Sequence, residues 1–126
     1  MEKIYIQATE FTPQVHFDPS NGIIELKGNS NPHNSLTFYT KVIHTLEDYV
    51  VNDTRGLVAN MAFRYFNTSS SKCLYDMFKQ LNAMRKKGRQ VTINWYYSHD
   101  DEDMYEVGKD FSDLMNLNFN FIAMSA

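Results

Sequence analysis

Asn67-Thr68-Ser69-Ser70-Ser71-Lys72 sets four hydroxyl side chains in a row, between an apolar strand-like segment and an amphipathic helical one. The first turn of a helix has backbone N–H groups without partners and a positive dipole end. A hydroxyl there caps the helix, and a phosphorylated hydroxyl there meets the same N–H groups, which stabilise its charge. The residues alone leave both readings open. One capping residue suffices, however, so Asn67 plus Thr68, Ser69, Ser70 and Ser71 exceeds the structural need. Lys72 falls within the first turn and suits a phosphate as a charged partner.

The second chemical feature is the acidic run Asp100-Asp101-Glu102-Asp103. It reads as a favourable helix N-terminus, as a partner-docking patch, or as a weak divalent-cation site. The calcium-loop spacing with its glycine and distal Glu is absent, so no metal is expected. His16, His33, His44 and His99 are scattered, with no zinc-site spacing. Gly22, Gly28, Gly56, Gly88 and Gly108 are isolated from one another, so no glycine-rich phosphate loop exists. Nothing marks a catalytic triad, and no cofactor is implied. The single Cys73 excludes an intramolecular disulfide, reads as a small buried hydrophobe and fits a reducing compartment.

These side chains need elements to position them. Lys3 to Gln7 reads as a short strand. Val15–Phe17 and Ile23–Leu26 flank Asp18-Pro19-Ser20-Asn21-Gly22, a hairpin with a five-residue turn. Gly28 to Pro32 reads as a loop. Asn34 or Ser35 caps a helix running to about Val50, with Tyr39, Val42, Ile43, Leu46 and Val50 at helical spacing. Leu57 to Phe66 is a long strand in which Asn60 and Arg64 share a face. A helix from about Ser69 to Lys87 buries Leu74, Met77, Phe78, Leu81 and Met84, and Gly88 ends it. Gln90 to Tyr97 is a strand, with Trp95-Tyr96-Tyr97 at its end partly core. The acidic run opens a third helix with Met104, Val107, Phe111 and Leu114 facing inward, and Phe119 to Met124 is a last strand.

Strands alternating with helices predict right-handed crossovers and a parallel βαβαβ half-sheet, to which the hairpin adds an antiparallel half. The expected fold is a mixed α/β sheet in one domain spanning residues 1–126. The loops after neighbouring parallel strands share an edge, so Asp100–Asp103 should lie near the hydroxyl loop, and a phosphate would reinforce an acidic rim.

The 126 residues are 43% hydrophobic and include nine Phe, eight Tyr and one Trp, enough for one aromatic-rich core. A net charge of −3 argues against nucleic-acid binding, which needs a basic surface. The basic cluster at Arg85, Lys86, Lys87 and Arg89 sits at a helix C-terminus, where cations suit the dipole. No signal-like or membrane-spanning run occurs, so no membrane partner is expected and a cytoplasmic location is.

Taken together, Thr12 to Pro19, Gly22 to Gly28, Ser30 to Asn34, Phe38-Tyr39, Asn67 to Lys72, and Asn94-Trp95-Tyr96-Tyr97 with Asp100–Asp103 resemble the SiaC-type regulatory phosphoproteins of bacteria. His33 departs from the family's usual Glu at that position. The resemblance covers nearly the whole chain. It implies a fold like the anti-sigma-factor-antagonist (STAS-like) domain and a non-enzymatic switch. Thr68 is then the residue phosphorylated by a cognate Ser/Thr protein kinase and reset by a metal-dependent Ser/Thr phosphatase, with Ser69 and Ser70 as fallback acceptors. The unphosphorylated form would bind an effector such as a diguanylate cyclase, in signalling tied to cyclic-di-GMP and biofilm formation. Asn67, Ser69, Ser70, Ser71, Lys72 and the acidic run would form the partner surface. The competing reading is a small enzyme that uses the acidic run with a divalent metal on a phosphorylated substrate.

Overall fold

The hairpin is built on its own turn. In the computed structural model, which describes residues 2–125, strands β2 (Gln14–Asp18) and β3 (Ile23–Ser30) pair antiparallel. Between them Pro19–Asn21 form a single 3-10 turn. The Ser20 hydroxyl and the Asn21 amide each donate to the Asp18 carboxylate at 2.7 Å. Those bonds hold the Asp18 carboxyl below its ordinary range. Gly22 closes the turn at φ 64°, where a side chain would crowd the Gly56 carbonyl. A short strand β1 (Ile4–Ile6) pairs antiparallel with β2 and forms one edge.

The rest alternates helix and strand: α1 (Ser35–Asn52), β4 (Leu57–Phe66), α2 (Thr68–Lys86), β5 (Val91–Ser98), α3 (Glu102–Met115) and β6 (Phe119–Met124). The sheet order is β1-β2-β3-β4-β5-β6, with β3 through β6 parallel. Each crossover therefore steps the same way, and right-handed connections put all three helices on one face. Helix α1 packs against α2, and α2 meets α3. The core fills the space between helices and sheet, with Phe17, Leu26, Tyr39, Met61, Phe78 and Trp95 buried there. The Trp95 indole N–H donates to the Met104 carbonyl at 3.0 Å, and its ring packs against Phe111 and Phe119 with centroids 6.0 and 5.9 Å away.

The helix-free face carries a ladder of polar side chains. His16, Glu25, Asn60, Asn94 and Asn120 stand opposite one another in register across β2 to β6. The amide of Asn120 donates to Asn94 at 3.0 Å, Asn94 to Asn60 at 2.8 Å, and Asn60 to Glu25 at 3.3 Å. Side chains directly opposite on one sheet face are near enough to bond in this way.

Several details differ from the sequence expectations: β1 is Ile4–Ile6 rather than Lys3–Gln7, Asp18 belongs to β2 rather than to the turn, and β5 ends at Ser98. Gly28 does not open a loop: β3 continues to Ser30 through a bulge, with Gly28 opposite Phe63 and Asn29 opposite Tyr65. Arg64 is the extra residue, and Gly28 at φ 118° absorbs the irregularity that another residue would strain to adopt. Leu114 does not face inward. It is 65% exposed, and Met115 is buried instead, four residues after Phe111 on the same stripe. Helix α2 begins at Thr68, because Asn67 already caps it. Strand β5 begins at Val91 rather than Gln90.

Candidate functional site

Strands β3 and β4 end side by side, and a helix starts after each. Asn34 caps α1 by accepting from the Thr37 N–H at 3.1 Å. Asn67 caps α2 by accepting from the Ser70 N–H at 2.8 Å, while its backbone N–H is held by the Ser30 carbonyl at 3.0 Å. Its amide nitrogen donates to the Asn31 side chain at 3.0 Å, tying the two loops together. Ser35 and Thr68 are thus the first residues of two adjacent helices.

Beneath these caps runs a chain of hydroxyls. Ser69 Oγ lies 2.7 Å from Ser35 Oγ, which lies 3.1 Å from Ser70 Oγ. Ser70 Oγ is 2.7 Å from Ser30 Oγ, and Ser30 Oγ is 2.6 Å from the Tyr39 hydroxyl. Ser30, Ser70 and Tyr39 are fully buried, and Ser35 nearly so. Burial pushes the Tyr39 phenol up to about 12, so the chain is neutral at physiological pH. A hydroxyl both donates and accepts, which lets the four buried ones satisfy one another where water is excluded, with Ser69 joining the chain at its exposed end.

Thr68 is different. It is exposed, and its hydroxyl has no hydrogen bond among the described residues. The four-hydroxyl run therefore splits by role. Ser69 is exposed but bound to Ser35 and, at 3.3 Å, to Asn67. Ser70 is fully buried, which removes it as a fallback acceptor in the folded chain. Ser71 is half-buried and Lys72 exposed. Cys73, one turn further on, is buried among apolar groups, and that burial pushes its thiol up.

The acidic run follows β5, next to β4, at the same end of the sheet. Asp101 caps α3 by accepting from the Met104 N–H at 3.0 Å. Asp100 accepts from the Ser98 hydroxyl at 2.7 Å, which holds its carboxyl below the ordinary range. Glu102 and Asp103 are exposed in the first turn of α3, where the dipole favours them. No hydrogen bond or ion pair joins this run to the hydroxyl loop among the described residues. Asp100 and Asp101 instead line a groove of about 760 Å³ with Lys27, Arg64 and Ser98. Among the described residues, no three His, Cys, Asp or Glu side chains converge to hold a metal ion.

Ser30, Ser35 and Tyr39 escaped the sequence reading as parts of one network with Ser70. They lie 40, 35 and 31 positions before it, on different elements, and no local pattern links them. The only hint is that Ser30 and Ser35 bracket the polar Asn31–Asn34 turn.

Three comparisons bear on what this arrangement is for. A family model described as SiaC family regulatory phosphoprotein matches residues 6–124. An uncharacterised protein of Pseudomonas aeruginosa (strain UCBPP-PA14) is 29% identical over 119 residues, 94% of each chain. The crystal structure of apo-SiaC from Pseudomonas aeruginosa superposes with a TM-score of 0.90 at 28% identity, covering 98% of this chain and all of that one. A SiaC chain in a crystal structure of the diguanylate cyclase SiaD with its activator SiaC, from the same organism, gives a TM-score of 0.91 at 28% identity over 96% and 99% of the chains.

Proposed function

Since the chain belongs to the SiaC family of regulatory phosphoproteins, we propose that it is a partner switch controlled by phosphorylation of Thr68. A Ser/Thr kinase sets the switch, and a metal-dependent Ser/Thr phosphatase resets it. The unmodified form binds and activates an effector, a diguanylate cyclase by analogy with SiaC and SiaD. The chain is a regulator and not an enzyme, so catalysis by Asp100–Asp103 with a metal is set aside. The switch works as one regulatory unit in the cytoplasm, and among the described residues no helix is long and apolar enough to cross a membrane.

The observation that carries this reading is the state of the Thr68 hydroxyl: exposed and without a hydrogen bond among the described residues, on the first residue of α2. A phosphate there adds about −1.5 to −2 charges at neutral pH. The first-turn N–H groups that Asn67 does not already hold, and the helix dipole, stabilise that charge. Nothing buried has to move, so the fold survives while the surface becomes strongly anionic. A partner surface that packs against neutral Thr68 then loses its fit through desolvation and bulk. Asp100, Glu102 and Asp103 at the same end of the sheet add to the negative rim.

The test is a titration of purified diguanylate cyclase from the same cell with wild type, Thr68→Ala and Thr68→Glu. Wild type and Thr68→Ala should bind alike and raise cyclic-di-GMP output. Thr68→Glu should bind at least about tenfold more weakly, a loss of about 1.4 kcal/mol. Equal binding by Thr68→Ala and Thr68→Glu overturns the proposal.

A further inference from the structure

Resting on that reading, we infer that Ser35, on a different helix, determines which hydroxyl of the Thr68–Ser71 run accepts the phosphoryl group. Thr68 and Ser69 are adjacent, both exposed, and both at a helix start. A kinase that reaches one is within reach of the other. What separates them is the partner each hydroxyl already has.

Phosphoryl transfer requires the acceptor oxygen to form a bond to the γ-phosphorus of a kinase-bound nucleoside triphosphate. The bond from that phosphorus to the β,γ-bridging oxygen breaks, the diphosphate leaves with its electron pair, and the hydroxyl proton passes to a base of the kinase. The acceptor therefore needs a lone pair free to point outward and a proton free to be taken. Thr68 meets both conditions, having no hydrogen bond among the described residues. Ser69 lacks a free proton, and its oxygen is turned toward its partners rather than outward. Its hydroxyl is 2.7 Å from Ser35 Oγ and 3.3 Å from Asn67 Oδ1, an oxygen that Ser35 Oγ also approaches at 3.4 Å, so its proton is engaged toward the protein whichever of the two serines donates to the other.

Ser35 holds Ser69 firmly because Ser35 itself cannot drift. Ser35 is 2% exposed, and its hydroxyl also lies 3.1 Å from Ser70 Oγ. Ser70 in turn is fixed by Ser30 and by the Asn67 cap. Ser35 is thus a positioning residue: it touches no substrate and acts by keeping Ser69 turned inward. Removing its hydroxyl leaves Ser69 with only the longer 3.3 Å bond to Asn67, which holds it less tightly, and leaves Thr68 as it was.

The experiment expresses the full chain in its native cell as wild type, Ser35→Ala, Ser35→Cys, Ser35→Thr and Tyr39→Phe. Phosphosites on each purified protein are quantified by mass spectrometry, and folding is checked by thermal melting. Wild type should carry phosphate on Thr68 with little on Ser69. Ser35→Ala should raise the Ser69 share about fivefold, the worth of one ordinary hydrogen bond. Ser35→Cys, nearly isosteric but a weak hydrogen bonder, should do the same and serves if the alanine variant does not fold. Ser35→Thr should restore the wild-type pattern. Tyr39→Phe cuts the hydroxyl chain at its far end without touching Ser69, and should leave the pattern unchanged even if it lowers the melting temperature. A wild type modified on Thr68 alone, with Ser35→Ala and Ser35→Cys unchanged from it, overturns this inference and spares the switch. A shift in Tyr39→Phe as large as in Ser35→Ala also overturns it, because general loosening then explains the effect. A wild type with no phosphate on Thr68 under any growth condition overturns the switch and this inference together.

Discussion

Tyr39 closes the buried end of the hydroxyl chain, and its protonation is a readout of that chain. Its phenol is pushed from 10.0 to about 12 in the folded state by burial, against the opposing hydrogen bond from Ser30. Between those values the unfolded chain has lost the phenolic proton while the folded chain keeps it. The folded state then binds more protons, so stability falls as pH rises through that window, by about 1.4 kcal/mol per pH unit. Tyr39→Phe lacks this dependence. It should cost about 1 kcal/mol at neutral pH through the lost hydrogen bond to Ser30. The gap to wild type should narrow above pH 10, as read by denaturant unfolding across the alkaline range. A gap that stays constant would mean that the phenol is not protected as the geometry requires.

At the scale of elements, the start of α2 and the middle of α3 are the sensitive points. Asn67 holds the Ser70 N–H, the Asn31 side chain and the Ser69 hydroxyl at once. Asn67→Ala should destabilise by about 1–2 kcal/mol, at the upper end for a helix cap, and Asn67→Asp should recover most of that. Chemical denaturation of both variants checks the order. Gly108 lies inside α3 against Trp95, and an added Cβ would collide with the indole nitrogen. A glycine-to-alanine change within a helix ordinarily stabilises by about 1 kcal/mol. Here the sign should reverse: Gly108→Ala should cost about 1–3 kcal/mol as the ring is displaced from its hydrogen bond to Met104. Its tryptophan fluorescence should shift in the same variant. A stabilised Gly108→Ala would mean that Trp95 repacks freely.

The whole molecule keeps the proposed phosphorylation surface apart from its core. All three helices cover one face of the sheet, the polar ladder occupies the other, and both helix caps meet at the carboxyl ends of β3 and β4. Thr68 is exposed there, outside the buried core. Thr68→Glu should therefore leave stability within about 0.5 kcal/mol of wild type, or raise it slightly through the helix dipole. Thermal melting of that protein beside the binding titration separates a lost surface from a lost fold. A marked drop in stability would show that Thr68 carries structure as well as signal.

Much of this was legible in the sequence, because it depends on local pattern. Period-two and helical spacings mark the hairpin, the three helices and the alternating strands, and the crossover rule then yields the mixed sheet. Asn67 and the hydroxyl run announce a helix start rich in acceptors by residue type alone. Where two residues fit one pattern equally well, the sequence misleads. Leu114 and Met115 both follow Phe111 at helical spacing, and only the packing of α3 buries Met115. Gly28 signals a break, yet a partner strand lets the chain bulge and continue. The division of labour among four adjacent hydroxyls was beyond reach for the same reason. Ser69 is tethered and Ser70 is buried because Ser30, Ser35 and Tyr39 come from other elements to meet them, while Thr68 has no hydrogen-bond partner among the described residues. Residue type determines what a side chain is able to do, while tertiary contacts decide which of several identical groups remains free to do it.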